Sequence, residues 1–261
     1  MAIKGAILGD ISGSQFEFDR CEDPDGCELF SDDCMFTDDT VMSLAVKYAA
    51  DHQMPYEKAM KTIGRIYPDC GYGGRFYDWM FRTDSKPYGS YGNGSAMRVS
   101  YIGEYFTDLH DVQKEAEKSA AVSHDHPEGI KGAVTTATCV WMAKNGKSKR
   151  EIHDYVLAQY PADTYEYHID RDAEWLKRNY RWNESCQGSV SIAMKCFIDS
   201  TSYESFLRNV FSIYCDSDTL GAIGGGVAEE FYHGTGLNSD LILYDFLDDM
   251  LIRVLNNEKV L

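Results

Sequence analysis

Glycines at positions 5, 9 and 13 recur at every fourth residue of the first apolar segment, and that spacing constrains the fold more than any other feature. Residues four apart share one face of a helix. Each glycine lowers helix propensity by about 1 kcal/mol relative to alanine. Such a helix needs an offsetting gain, and a glycine face offers one: the close approach of another helix or of a ligand. Gly224-Gly225-Gly226, inside a later apolar stripe, poses the same problem. Three consecutive glycines break an isolated helix, so tertiary packing must hold this one.

The rest of the chain reads as helix too. Val41, Leu44, Ala45, Tyr48 and Ala49 form one stripe at three- and four-residue spacing, and Ile130, Ala133, Val134, Ala137, Val140 and Trp141 form another. Val190, Ala193, Met194 and Phe197 form a third, and Leu220, Ile223, Val227 and Phe231 a fourth. A C-terminal stripe runs through Leu241, Tyr244, Phe246, Leu247, Met250, Leu251 and Val254. Clear period-two runs are missing, so the expected fold class is all-α. The dense loop-like stretch is the Gly/Tyr/Pro-rich run from Pro68 to Gly94, too aromatic for a disordered spacer. Nothing else marks a linker, so residues 1–261 are expected to form one domain.

Charge narrows the partners. A formal net charge of −17 lacks the basic footprint that nucleic-acid binding needs, and it disfavours anionic membrane surfaces. An anionic small molecule stays possible, because bound divalent cations reverse the local sign. None of the eight cysteines forms a C-x-x-C pair, which argues against structural zinc. Met1-Ala2-Ile3-Lys4 leads into an amphipathic run holding Asp10, unlike a signal peptide, and no stretch approaches a membrane span. The expected compartment is the reducing cytosol.

Two short clusters carry the chemistry. Thr37-Asp38-Asp39-Thr40 and Asp216-Ser217-Asp218-Thr219 each mix carboxylates with hydroxyls at an expected helix start. The bland explanation is helix capping. Capping needs one carboxylate, however, whereas adjacent carboxylates repel, and a cation relieves that repulsion. All the candidate donors are hard oxygens, with no His or Cys among them, which favours Mg²⁺, Mn²⁺ or Ca²⁺ over zinc or copper. Four carboxylates and two hydroxyls suffice for two ions about 3.5–4 Å apart.

Other segments are weaker on their own. In Gly89-Ser90-Tyr91-Gly92-Asn93-Gly94-Ser95-Ala96-Met97-Arg98, glycines permit positive φ and close backbone approach, so the loop reads as an anion nest before a helix or as a plain tight turn. Ser123-His124-Asp125-His126-Pro127 has poor spacing for a metal site and suits a polar ligand contact or a loop-packing role. Glu17 sits between Phe16 and Phe18, a setting that perturbs a carboxylate pKa and suits acid–base work, although an ordinary surface glutamate fits as well.

In order along the chain, Gly9-Asp10 with Gly13 and Glu17, Phe36-Thr37-Asp38-Asp39-Thr40, Tyr91 to Arg98, Ser123 to Pro127 and Asp216 to Ile223 resemble the ADP-ribosylglycohydrolase family, the relatives of dinitrogenase reductase-activating glycohydrolase. The resemblance implies a roughly orthogonal helical bundle whose central cleft holds a binuclear Mg²⁺ or Mn²⁺ centre. It assigns Thr37, Asp38 and Asp39 as metal ligands from one side and Asp216, Asp218 and Thr219 from the other. It makes Glu17, Asp38 and Asp216 the catalytic positions, with Glu17 on a loop over the distal ribose. Ser90, Tyr91, Gly92, Asn93, Gly94 and His124 become substrate-binding positions for the diphosphate and adenosine. The implied activity is hydrolysis of the glycosidic bond between ADP-ribose and a protein side chain or small acceptor, with nucleic acid entering only as a modified substrate. Two departures from the family pattern stand out: Cys215 where glycine is usual, and Ser191 where proline is common. Two rivals stand beside the hydrolase: a non-catalytic ADP-ribose-binding or structural relative, and an all-α Mg²⁺-dependent nucleotide pyrophosphatase, which usually draws its ligands from E-x-x-E helices.

Overall fold

The computed structural model describes residues 1–18, 20–84 and 86–260. Every regular element among them is a helix, and one isolated antiparallel bridge joins Gly92 to Ser185. The first half holds α1 (Ala2–Ser14), α2 (Asp38–Asp51), α3 (Tyr56–Gly64), α4 (Gly74–Phe81), α5 (Gly94–Met97), α6 (Ser100–Tyr105), α7 (Leu109–Ala121) and α8 (Pro127–Lys144). The second holds α9 (Lys149–Gln159), α10 (Ala173–Asn179), α11 (Cys186–Asp199), α12 (Tyr203–Phe211), α13 (Ser217–Tyr232), α14 (Ser239–Phe246) and α15 (Asp249–Leu255). No described helix is long and apolar enough to cross a membrane.

The glycine face finds a helix, not a ligand. α1 and α13 run antiparallel at the centre, with Gly5 against Gly225, Gly9 against Gly221 and Gly13 against Ser217. A methyl group placed on Gly5 would lie 2.5 Å from the Gly225 carbonyl oxygen, and on Gly9 or Gly13 it would press closer still onto backbone. Only glycine lets the two backbones touch, and the contact places Cα hydrogens against facing carbonyls. Both helices are buried nearly all round: α1 except at Lys4 and Ser14, α13 from Ser217 to Glu229. A helix without a polar face belongs at the centre of a bundle. α8, α11 and α12 pack against α13, and α2 and α6 pack against α1.

The start of α1 is capped by distant side chains. The Ala2 amide donates to Glu230 at 2.9 Å, the Ile3 amide to Glu104 at 3.1 Å and the Gly5 amide to Glu229 at 2.5 Å. Three glutamates therefore satisfy amides that a helix N-terminus leaves unpaired, and their charge suits its dipole.

Four expected stripes fall on α2, α8, α11 and α13. The C-terminal stripe does not form one helix. It breaks at Leu247-Asp248, where Asp248 caps α15 by accepting from the Leu251 amide at 2.9 Å and also accepts from the Tyr67 hydroxyl at 2.8 Å. Leu241 and Tyr244 stay exposed, because α14 turns Leu243, with Ile242 and Phe246 beside it, to the core. The Pro68–Gly94 run contains α4, whose Phe76, Trp79 and Met80 are buried.

The α1–α13 contact predicts the effect of one methyl group. Gly9→Ala gains about 1 kcal/mol of helix propensity yet forces backbone against backbone. We expect net destabilisation of roughly 1–3 kcal/mol in urea unfolding, the usual range for overpacking. Gly74→Ala, where added atoms meet open space, should shift stability by no more than about 0.5 kcal/mol. Equal stability of the two variants would contradict the packing account.

Candidate metal centre and its cleft

The central helices bring the two acidic clusters together. α13 begins one residue after Asp216, at the end where Gly13 meets Ser217, so Asp216 and Asp218 stand beside the C-terminal half of α1. Asp10 lies on that half of α1 and reaches α2. It accepts from the Thr37 amide at 3.0 Å, the Thr37 hydroxyl at 2.7 Å, the Thr40 amide at 3.0 Å and the Thr40 hydroxyl. Asp10 thus caps α2 from outside and fixes Asp38 and Asp39 against α13. The join is direct: the Thr219 hydroxyl donates to Asp39 Oδ2 at 3.2 Å, across 180 positions of sequence.

Asp10, Asp39 and Asp218 can place carboxylate oxygens within 4.8 Å of one another, and so can Glu17, Asp216 and Asp218. The two trios share Asp218. Asp38 stands at the same cleft, its carboxylate 3.7 Å from where a side chain on Gly71 would begin. Burial, followed by repulsion from Asp218 and Asp10, pushes the Asp38 and Asp39 pKa values well above the usual carboxylate range. Asp218 is raised the same way by burial and then by Asp216. Asp216 rises to about 6 through burial, against hydrogen bonds from Asp218 and Asn93. Glu17, half-buried, rises to about 8 through burial and then the charges of Asp218, Asp10 and Glu184.

These residues fit divalent cations. Asp39 Oδ1 is buried and has no hydrogen-bond partner among the described residues. A buried carboxylate oxygen without a donor is costly, and an ion between the trios would satisfy it. The donors are carboxylates and hydroxyls, as hard cations require.

Glu17, Asp38, Asp39, Asp216, Asp218 and Thr219 line a cavity of about 300 Å³, at the small end of the ligand-pocket range and too large for ions alone. Gly71, Arg75, Phe76, Tyr88, Ser90, Gly92, Asn93, Gly94, His124, Trp182 and Glu184 are among the residues that continue its wall. His124 is buried between the rings of Tyr88 and Phe76, with centroids at 5.9 and 6.2 Å, and its Nδ1 lies 2.8 Å from the Ser123 hydroxyl. Burial, then Arg98 and Arg75, holds its pKa well below the ordinary value, so the ring is neutral.

The expected nest before a helix differs from the observed loop. The helix after it, α5, is a single turn of four residues, so its dipole contributes little. Two loop amides are already engaged: Gly92 N–H donates to the Ser90 hydroxyl at 3.2 Å and Asn93 N–H to the Glu184 carbonyl at 2.7 Å. The Asn93 side chain donates to Asp216 at 2.7 Å and so orients a candidate ligand. Tyr91 is half-exposed and packs edge-on against His126 at 5.2 Å, while Tyr88 contributes to the cavity wall. Cys215 bonds back to the Val210 carbonyl at 3.5 Å, and Ser191 donates to the Tyr167 carbonyl at 2.7 Å. Asp10 had a sequence signal, a lone acid inside an apolar helix, but its partners lie on α2.

The raised carboxylates set a pH dependence. Without cations the folded state keeps protons that the unfolded chain releases above about pH 4. Stability is then greatest in acid and falls as pH rises, through about 6 for Asp216 and about 8 for Glu17. We expect the Tm in EDTA to fall between about pH 5 and pH 8, and Mg²⁺ or Mn²⁺ to restore it at the upper end. A Tm indifferent to both pH and cation would contradict the cluster's electrostatics.

A profile described as ADP-ribosylglycohydrolase matches residues 1–229. ADP-ribosylhydrolase ARH3 of Homo sapiens is 32% identical over 186 residues, covering 57% of this chain and 50% of the relative. ARH3 of Gallus gallus is 30% identical over 187 residues, covering 57% and 51%. The chain therefore spans about half the length of these curated relatives. A putative ADP-ribosyl glycohydrolase, L543 of Acanthamoeba polyphaga mimivirus, is 24% identical over 285 residues, covering 90% of this chain and 86% of its own. Among solved structures, an ADP-ribosylglycohydrolase-related protein complex shares the fold with a TM-score of 0.73 at 19% identity, covering 97% of this chain and 94% of that one. The all-helical fold, the converging carboxylates and the profile match agree, and the chain belongs to the ADP-ribosylglycohydrolase family.

Proposed function

We propose that the chain is a metal-dependent hydrolase that cleaves the glycosidic bond joining ADP-ribose to a protein side chain or small acceptor. The observation that carries this reading is the pair of carboxylate trios sharing Asp218 beside a ligand-sized cavity. The names of the relatives favour glycosidic cleavage over diphosphate cleavage. We take residues 1–261 as one domain.

Thr37, Asp38, Asp39, Asp216, Asp218 and Thr219 would hold two divalent cations, Mg²⁺ or Mn²⁺, with Glu17 and Asp10 beside them. Bound there, such ions supply Lewis acidity and grip sugar hydroxyls. The protein residues do the rest. Cleavage at the anomeric carbon develops positive, oxocarbenium-like charge, which nearby carboxylates stabilise, as in glycosidases generally. Glu17 is the most solvent-accessible carboxyl of its trio and is suited to exchange a proton with the departing acceptor or with water. Asn93 holds the Asp216 carboxylate and Asp10 holds Thr37 and the start of α2 in place, and such positioning carries rate by fixing the reacting groups. The Ser90–Gly94 loop, Tyr88, Phe76 and the neutral His124 form a wall for the nucleotide end. The eight unpaired cysteines support a reducing, cytosolic setting.

The test is product analysis on ADP-ribosyl-arginine, ADP-ribosyl-serine and ADP-ribosylated nucleic acid, with and without EDTA. The expected product is free ADP-ribose, lost on chelation and restored by Mg²⁺ or Mn²⁺; AMP would point to diphosphate cleavage. Asp38→Asn with Asp216→Asn should lower turnover at least about 100-fold with the fold retained, the scale of removing well-placed catalytic groups. Glu17→Gln should lower kcat more than it raises KM, since that side chain serves the reacting bond.

A further inference from the structure

The cavity wall is electrically lopsided. Six carboxylates line it, from Glu17, Asp38, Asp39, Glu184, Asp216 and Asp218, against two arginines. Arg98 is fully buried and already donates to the Ser119 carbonyl at 2.8 Å and the Ser123 hydroxyl at 3.2 Å. Arg75 is exposed at the second position of α4. Its guanidinium lies 4.7 Å over the Tyr88 ring and donates to the Tyr88 carbonyl. Among the described residues no carboxylate lies within ion-pair distance of it.

We propose that Arg75 is a substrate-binding residue that holds the diphosphate of the nucleotide, where α4 and Tyr88 meet in the cavity wall. This rests on the reading of the cavity as an ADP-ribosyl site. A dianion needs formal charge or several free donors, and the Ser90–Gly94 loop has already committed the Gly92 and Asn93 amides. Arg75 supplies a fixed positive charge and a planar fork of donors that fits phosphate oxygens. Its stacking on Tyr88 leaves it less rotamer freedom to lose on binding. Beside it the wall is bare: a side chain begun at Gly73 or Gly74 would meet nothing within 4 Å, so phosphate oxygens can approach the first turn of α4. The same segment reaches the carboxylates through Gly71, next to Asp38. A ligand with its sugar at the carboxylates would then lead its phosphates toward Arg75.

The test measures binding of ADP-ribose, ADP, inorganic pyrophosphate and adenosine to wild-type protein and to Arg75→Gln and Arg75→Lys. Glutamine keeps an amide donor for the Tyr88 carbonyl but removes the charge. Arg75→Gln should weaken ADP-ribose and ADP binding about 10- to 100-fold, the range for losing a hydrogen bond to a charged group, and leave adenosine unchanged. Arg75→Lys should recover part of the loss, and the wild-type affinity for ADP should fall more steeply with salt than that of Arg75→Gln. Equal ADP affinity in wild type and Arg75→Gln overturns the proposal. A loss that is the same for adenosine also overturns it, because Arg75 would then only shape the Tyr88 loop. If ADP and pyrophosphate bind through Arg75 while ADP-ribose does not, the anion site stands and the ADP-ribosyl reading falls. If no nucleotide or pyrophosphate binds wild-type protein, both fall.

Discussion

The backbone contact between α1 and α13 is the constraint on which the site depends. Gly5 and Gly9 meet Gly225 and Gly221 backbone to backbone, and Gly13 meets Ser217, whose hydroxyl donates to the Gly13 carbonyl at 2.7 Å. At that separation Asp10 on α1 and Asp218 on α13 become neighbours, and Asp10 draws in α2 through Thr37 and Thr40. A helix pair held apart by ordinary side chains sits 8–10 Å apart, too wide to close such a cage. The glycines sacrifice helix propensity for a distance that the carboxylates require.

The carboxylates create the opposite problem. Asp10, Asp39 and Asp218 are buried close together, with Asp216 and Glu17 alongside. Without cations the cluster keeps protons and leaves Asp39 Oδ1 unsatisfied. Buried polar groups of this kind are destabilising unless a function retains them. Divalent ions would turn that cost into binding energy and make the acidic part of the cavity hospitable to sugar hydroxyls. The stretch of wall with Arg75, Tyr88 and the neutral His124 has the complementary character. A ligand with a neutral sugar at one end and an anionic bridge further along matches both.

Much of this was legible in the chain. Helical spacing located α2, α8, α11 and α13, because their buried faces repeat at the helical period. Paired aspartates at two helix starts located the carboxylates that fold together, because neighbouring carboxylates at caps are electrostatically expensive. The C-terminal stripe misled, since apolar spacing continues across Leu247 while Asp248 starts a new helix. Asp10 and Arg75 escaped for a shared reason. Each is a single charged residue whose meaning comes from a partner that only folding supplies: Thr37 and Thr40 for the aspartate, the Tyr88 face for the arginine. The loop's tyrosines divided the same way. Spacing could not tell that Tyr91 turns to His126 while Tyr88 lines the cavity.

Anomalous diffraction from crystals soaked in Mn²⁺ bears most directly on whether distant aspartates cage divalent ions. The account expects two manganese peaks about 3.5–4 Å apart, one against Asp39 and one against Glu17 and Asp216, with Asp218 between them. Saturating Mn²⁺ that leaves this cluster without anomalous density, while the helices stay in place, would contradict it.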